Sequence, residues 1–72
     1  MKNKVRYYRQ ELKITQEQLG KALNITRQTV SALEHGRFDP PITMAYQISL
    51  LLKQPLDELF DFDTIDNIEI EL

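Results

Sequence analysis

Apolar residues recur at helical spacing in the segment TQEQLGKALNITRQTVSALEHG, residues 15–36, around which we expect the rest of the chain to be organised. Leu19 and Leu23 lie one turn apart and predict a first helix that ends near Leu23. Thr15 is an N-cap candidate, and Gln18 three residues later completes a capping-box pattern. The helix is therefore expected to begin directly after Thr15.

A tight turn and a second helix are predicted next. Asn24 tolerates a left-handed backbone, Ile25 offers an apolar plug, and Thr26 can cap the second helix. A turn of about three residues between two short helices is typical of a helix-turn-helix. In the second helix Val30 and Leu33 fall on one face, which is expected to pack, while the polar positions fall on the other.

Gly20 lies inside the first of these helices. Glycine there costs on the order of 1 kcal/mol relative to alanine, so its presence calls for a reason. We expect close approach of the second helix; the alternative is that Gly20 only weakens an ordinary helix.

Amphipathic patterns on both sides of this segment predict further helices. Val5, Tyr8 and Leu12 share one face of a helix from Lys4 to Lys13, with Asn3 as a candidate cap. After Gly36 and a loop that contains two prolines, a fourth helix is expected over Ile42–Leu52. Its broad apolar face is expected to comprise Ile42, Ala45, Ile48, Leu51 and Leu52, and Tyr46 is assigned to the core rather than to a polar contact.

A short fifth helix and an acidic tail complete the chain. Pro55 is expected to open a helix over Pro55–Phe60 that closes the core. In the tail, Ile68, Ile70 and Leu72 alternate with glutamates, a period of two that fits a short strand. Such a strand needs a partner, which is either residues 1–4 or a second copy of the chain; the alternative is a disordered tail. The expected fold is all-α with five helices, in a domain over 1–60 followed by a tail over 61–72.

Charge is distributed unevenly along the chain. The formal net charge is −2, but residues 1–53 carry nine Lys and Arg against four Asp and Glu, a net charge of +5. Residues 54–72 carry seven Asp and Glu and no basic residue, a net charge of −7. A basic part next to an acidic part suggests a polyanionic partner for the basic part only.

Composition argues against several classes of protein. The 72 residues include no cysteine and one histidine, so we expect no disulfide, metal or cofactor. The absence of a Gly-rich phosphate loop and of a nucleophile–base pair makes an enzyme improbable. No segment resembles a signal peptide or a membrane span, and we therefore expect a soluble, cytoplasmic, nucleoid-associated protein.

The segment over residues 15–36 resembles the helix-turn-helix of the Cro/CI (XRE) family, the phage-repressor type of transcription regulator. The resemblance covers most of residues 4–60, from upstream of Arg9 to the PLDELF segment. Gly20 stands where alanine is usual in the family, and Asn24 where glycine is usual. Gly20 is still a small residue, and Asn24 still tolerates a left-handed backbone, so both departures meet the physical requirement of their position.

The resemblance implies that the second helix reads double-stranded DNA. The major groove admits one α-helix, and arginine and glutamine can make bidentate contacts to guanine and adenine. The family uses the positions of Gln28, Thr29 and Ala32 for base contacts, while Arg27 reads a base or clamps a phosphate. The candidate phosphate contacts are Lys4, Arg6, Gln16, Thr26, Ser31, His35 and Arg37. For His35 the alternative is an interaction with the helix dipole alone.

The resemblance also implies a structural ion pair and a homodimer. An arginine at the position of Arg9 pairs in the family with the glutamate at Glu34, and a charge removed from water persists only with a partner. The alternative is that both are solvated surface charges. Regulators of this kind bind palindromic operators as two-fold dimers. The expected dimer interface comprises Leu56, Phe60, Phe62, Ile68 and Ile70.

These features favour a sequence-specific DNA-binding regulator, expected to be a repressor of bacterial or phage type. A second hypothesis is an antitoxin-like or protein-interaction module, in which the acidic tail engages a basic protein partner and DNA binding is secondary. A third is that the tail folds back on the basic part and weakens DNA binding.

Overall fold

The computed structural model describes residues 1–64 and, as expected, is all-α. Its helices are α1 (Val5–Glu11), α2 (Gln16–Leu23), α3 (Arg27–Glu34), α4 (Ile42–Leu52) and α5 (Leu56–Leu59), and a short 3-10 turn covers Phe62–Thr64. The candidate strand with Ile68, Ile70 and Leu72 lies outside the described residues. The boundary between a domain over 1–60 and a tail over 61–72 stays a prediction. Within residues 1–64 no helix has both the length and the apolar character to cross a membrane.

Helix α1 is shorter than the apolar pattern predicts. The helix begins at Val5, one residue later than expected, and Lys4 rather than Asn3 occupies the N-cap position without a side-chain capping bond. The Asn3 side chain still accepts a hydrogen bond from the backbone N–H of Val5 at 3.1 Å, from one position further out. The left-handed Lys13, with φ 58°, then turns the chain so that Ile14 packs against the core. Leu12 is therefore 41 % exposed, and its assignment to the buried face was wrong.

Helix α4 buries a narrower face than expected. It packs against α1, α2 and α5, and its buried residues are Ala45, Ile48, Ser49 and Leu52. Ile42 is 71 % exposed and Leu51 is 39 % exposed, so their assignment to the buried face was wrong. Tyr46, expected in the core, is 57 % exposed. A helix at the edge of so small a domain is covered on one side only, and part of an apolar face remains in solvent.

The C-terminal end of the described chain closes the core. Phe60, which was expected at the dimer interface, is 2 % exposed and packs inside its own chain, so that assignment was wrong. The backbone N–H of Lys4 donates to the carbonyl of Leu59 at 2.7 Å, and Asn3 and Phe60 form an antiparallel bridge. Residues 1–4 thus pair with the segment that ends α5, and the expectation that they pair with the tail strand concerns residues outside the described part of the chain. The extended backbone of Phe60 in this bridge directs its ring inwards.

Candidate nucleic-acid interface

The turn between α2 and α3 forms as the sequence predicts. The backbone N–H of Gln18 donates to Thr15 Oγ1 at 3.0 Å, and the Gln18 side chain accepts from the backbone N–H of Thr15 at 2.9 Å. This capping box fixes the start of α2. Asn24 ends the helix in the left-handed conformation, with φ 58°.

Gly20 permits the close contact that holds α3 beside α2. A Cβ at this position would lie 2.8 Å from the carbonyl oxygen of Ile25, a backbone atom of the turn, and 3.5 Å from Val30 in α3. The backbone N–H of Ile25 also donates to the carbonyl of Gly20 at 2.9 Å. The nearest neighbour is therefore the turn rather than the second helix itself, and the absence of a side chain lets the turn close against α2.

Thr26 caps α3 and orders its first turn. Thr26 Oγ1 accepts a hydrogen bond from the backbone N–H of Thr29 at 3.1 Å and lies 2.9 Å from Thr29 Oγ1. Both hydroxyls are thus engaged with each other. Thr26 and Thr29 were predicted to contact phosphate and base respectively, and the structure makes each of them part of the cap as well.

A buried ion pair ties α1 to α3. Arg9 Nε donates to Glu34 Oε2 at 2.6 Å, and the two side chains are 8 % and 1 % exposed. The predicted pair is therefore present, and the solvated alternative does not apply. Arg9 Nη1 also donates to the carbonyl of Ile14 at 2.7 Å. Gln16, at the start of α2, donates from Nε2 to Glu34 Oε1 at 3.0 Å, so the carboxylate joins three helices.

The exposed side of α3 borders a shallow depression of about 260 Å³. It collects residues predicted for base and phosphate contacts from α2, α3 and the loop after α3. The lining residues are Gln16, Arg27, Gln28, Ser31, Ala32, His35 and Arg37. Two arginines and four further polar side chains thus surround the small Ala32, an arrangement suited to hydrogen-bond acceptors on a negatively charged surface.

His35 has a defined tautomer at the end of α3. Its Nδ1 lies 2.7 Å from the carbonyl oxygen of Ser31. Because a carbonyl only accepts hydrogen bonds, this contact requires the proton on Nδ1. Neutral His35 then presents an acceptor at Nε2, and only the imidazolium form can donate from Nε2 to a phosphate.

Lys4 and Arg6 lie apart from this depression. Lys4 Nζ lies 3.3 Å from Glu58 Oε1 in an exposed pair, and the Tyr8 hydroxyl donates to the same carboxylate oxygen at 2.6 Å. That hydrogen bond raises the pKa of Tyr8 to about 12. The hydrogen bond from Tyr8, followed by that from Lys4, lowers the pKa of Glu58. Arg6 is exposed on α1, and neither cation lines the depression beside α3.

The structure adds a positioning contact that the sequence did not reveal. Asn3 Nδ2 donates to the carbonyl of Leu33 at 2.8 Å, which ties the N-terminal segment to the last turn of α3. The two residues lie thirty positions apart, and no local pattern joins them. Neither did spacing reveal the bond from Gln16 to Glu34. Within residues 1–64 no cluster of three or more His, Cys, Asp or Glu is positioned to hold a metal ion.

Comparison with known proteins gives a consistent pattern of similarity. The helix-turn-helix family matches residues 5–59. An uncharacterised HTH-type transcriptional regulator of Methanocaldococcus jannaschii is 38 % identical over 63 residues, which cover 88 % of this chain and 96 % of the relative. A regulator of the same description from Methanothermobacter thermautotrophicus is 38 % identical over 64 residues, covering 88 % and 93 %. One from Bacillus subtilis is 37 % identical over 60 residues, covering 83 % and 91 %. These relatives are archaeal and bacterial, so a bacterial or phage source stays a prediction.

Proposed function

The chain belongs to the Cro/CI (XRE) type of the helix-turn-helix family, and we propose that it is a transcriptional regulator that binds double-stranded DNA sequence-specifically. In this proposal it acts as a repressor and as a homodimer on a palindromic operator. The observation that carries the proposal is the polar depression along the exposed side of α3. Its lining combines donors, cations and one small apolar residue on a helix that the capped turn holds in place.

Major-groove readout is the role that fits α3. Gln28 and Arg27 are exposed in its first turn, the end that enters the groove in regulators of this type. Gln28 can bond adenine through two atoms, and Arg27 can do the same with guanine or bind a phosphate. Ala32, one turn further on, is small enough to let a thymine methyl approach. The Thr29 hydroxyl, already bonded to that of Thr26, can still make a further hydrogen bond to a base.

Phosphate contacts would fix the register of the protein on the duplex. Gln16 keeps one amide N–H after its bond to Glu34, and it lies at the N-terminus of α2, where the helix dipole favours an anion. Arg37 and the imidazolium form of His35 extend the same surface past the end of α3. The net charge of +5 over residues 1–53 attracts DNA at long range. Lys4 and Arg6 contribute to this field.

A homodimer would double the DNA-contacting surface, which is small in a single copy. A single α3 reaches only part of a groove, whereas two copies related by a two-fold axis read half-sites about one helical turn apart. Of the predicted interface residues, Leu56 is half-buried and Phe62 is 51 % exposed. Ile68 and Ile70 lie outside the described residues. Occupancy of an operator that overlaps a promoter is the simplest route to repression.

Base readout by Gln28 is the step that an experiment can isolate. Duplexes selected from random DNA by the parent protein would give the operator, and Gln28→Ala is then expected to weaken operator binding by about 5- to 150-fold and to relax preference at one base pair of each half-site. The measurement is fluorescence-anisotropy titration at fixed salt concentration.

Gln10→Ala is the matched control, because Gln10 is an exposed glutamine of α1 outside the depression. It is expected to bind the operator like the parent. If Gln28→Ala binds the selected operator as tightly as Gln10→Ala, α3 does not read bases through Gln28. If selection enriches no sequence at all, the proposal of sequence-specific binding fails.

A further inference from the structure

Helix α4 carries an exposed apolar stripe that the DNA-binding role does not use. Ile42, Tyr46 and Leu50 follow each other at intervals of four residues and are 71 %, 57 % and 61 % exposed. Thr43 and Gln47 lie beside them and are also exposed. Three large apolar side chains in one row on so small a protein indicate an interaction surface. We call this row the α4 stripe.

A shallow depression lies between this stripe and α5. It measures about 450 Å³ and is lined by Ile42, Thr43, Tyr46, Gln47 and Leu56. The lining contains no charged residue, and neither does any position of α4. Leu56, one of the residues expected at the dimer interface, lines this depression beside the α4 stripe.

We propose that the α4 stripe is covered by the α4 stripe of a second copy of this chain, with the two helices antiparallel across a two-fold axis near Tyr46. The proposal rests on the homodimer proposed above and names its surface. An isologous contact places the same patch of both copies face to face, so the patch must be complementary to itself. An uncharged stripe meets this condition because no like charges oppose each other at its centre.

The register of charges at the two ends of α4 favours the antiparallel arrangement. Ile42 precedes Tyr46 by four residues and Leu50 follows it by four, so each Ile42 would face Leu50 of the other copy. Asp39, in the loop before α4, precedes Tyr46 by seven residues, and Lys53, which ends the helix, follows it by seven; both are exposed. An antiparallel pair brings Asp39 of each copy towards Lys53 of the other. A parallel pair would instead bring like charges together.

This arrangement leaves the reading surface free. No residue of the α4 stripe lines the depression beside α3. The charged residues that flank α4 in the sequence, Asp39 and Lys53, are one acidic and one basic residue rather than a basic cluster, which disfavours an anionic lipid surface as the occupant. Two copies joined through α4 would keep both α3 helices exposed for DNA.

A single substitution at the centre of the stripe tests the contact. Tyr46→Glu would oppose two carboxylates across the two-fold axis and is expected to raise the dimer dissociation constant at least about 30-fold. Tyr7→Glu is the matched control, since Tyr7 is also 57 % exposed but lies on α1, and it is expected to leave the constant unchanged. Sedimentation equilibrium of the full chain measures the constant, and circular dichroism verifies that each variant is folded.

A charge exchange tests the register without altering the apolar stripe. Asp39→Lys alone and Lys53→Asp alone are each expected to weaken the dimer, and the double variant Asp39→Lys/Lys53→Asp to restore it to within about threefold of the parent. Asp39 also lies 3.2 Å from the N-terminal amine, an exposed pair that the double variant does not rebuild. Restoration would therefore report the contact between copies.

The outcomes separate this inference from the proposed function. A dimer that persists in Tyr46→Glu, or a double variant no better than the single ones, would assign the contact to another surface such as the one around Phe62. A parent chain that stays monomeric at millimolar concentration would overturn the inference and the homodimer together. DNA recognition would still stand in that case if Gln28→Ala lost operator affinity relative to Gln10→Ala.

Discussion

At the scale of single residues, the Glu34 carboxylate holds α3 in place against α1 and α2. It is 1 % exposed and accepts hydrogen bonds from Arg9 and Gln16 at 2.6 and 3.0 Å. Arg9 is itself buried and bonded to the carbonyl of Ile14 at 2.7 Å. A charge removed from water is tolerated only while its partner remains, so the loss of either member leaves an unpaired buried ion.

Glu34→Gln is therefore expected to lower the free energy of unfolding by about 3 kcal/mol, because it leaves the Arg9 guanidinium buried without a counter-charge. Urea denaturation followed by circular dichroism measures the change. Glu17→Gln makes the same chemical substitution in an exposed pair, with Lys21 at 3.6 Å, and is expected to change stability by less than about 0.5 kcal/mol. Equal losses in the two variants would show that burial of the Arg9–Glu34 pair carries no special cost.

At the scale of the element, α3 depends on its first turn. Eight residues are too few for a stable isolated helix in water, so α3 requires its cap and its packing against α2. Val30 and Leu33 supply the packing, both fully buried. Thr26 supplies the cap, and at this residue the backbone changes from extended to helical, which sets the direction of α3.

Thr26→Ala is expected to destabilise the protein by about 1 kcal/mol, because the backbone N–H of Thr29 loses its acceptor. Thr26→Ser keeps the hydroxyl oxygen and is expected to lose no more than about half as much. Thermal unfolding followed by circular dichroism gives both values. A serine variant as unstable as the alanine variant would mean that the methyl group, rather than the cap, carries the effect.

At the scale of the whole molecule, a hydrogen-bonded cluster holds the two ends of the described chain together. Tyr8 donates to Glu58 at 2.6 Å across fifty residues of sequence, and Lys4 adds a contact at 3.3 Å. Because the pKa of Glu58 is lowered in the folded protein, ionised Glu58 stabilises the fold at pH values above its ordinary pKa of 4.5. This stabilisation is lost as the pH falls below 4.5 towards the lowered pKa. The raised pKa of Tyr8 means that its contribution is present below pH 10.0 and is lost as the pH rises towards about 12.

Glu58→Gln is expected to reduce both the loss of stability at low pH and the loss at high pH. The variant has no carboxylate to titrate, and its amide binds the Tyr8 hydroxyl less strongly. The measurement is the free energy of unfolding in urea as a function of pH, from 3 to 7 and from 9 to 11. Asp57→Asn removes the neighbouring exposed carboxylate of α5 and is expected to keep the parent profile. A Glu58→Gln profile parallel to the parent at both extremes would contradict the assignment.

The sequence by itself determined the features that depend on residues close together in the chain. The capping box of Thr15 and Gln18, the left-handed Asn24 and the Thr26 cap each involve atoms within four positions of one another. For that reason the bounds of α2 and the start of α3 followed from spacing and side-chain chemistry, whereas the family resemblance supplied the candidate base-contact positions on α3. The Arg9–Glu34 pair came from family resemblance together with the cost of burying a charge.

Only the tertiary structure decided which apolar side chains are covered. Phe60 is buried because its extended backbone pairs with Asn3, whereas Ile42 and Tyr46 are exposed because nothing in residues 1–64 packs on that side of α4. Periodicity gives the faces of a helix but not the neighbours that cover them. Burial is a property of contacts between distant segments, and those contacts also made Asn3 a support of α3 and separated Lys4 from the depression beside α3.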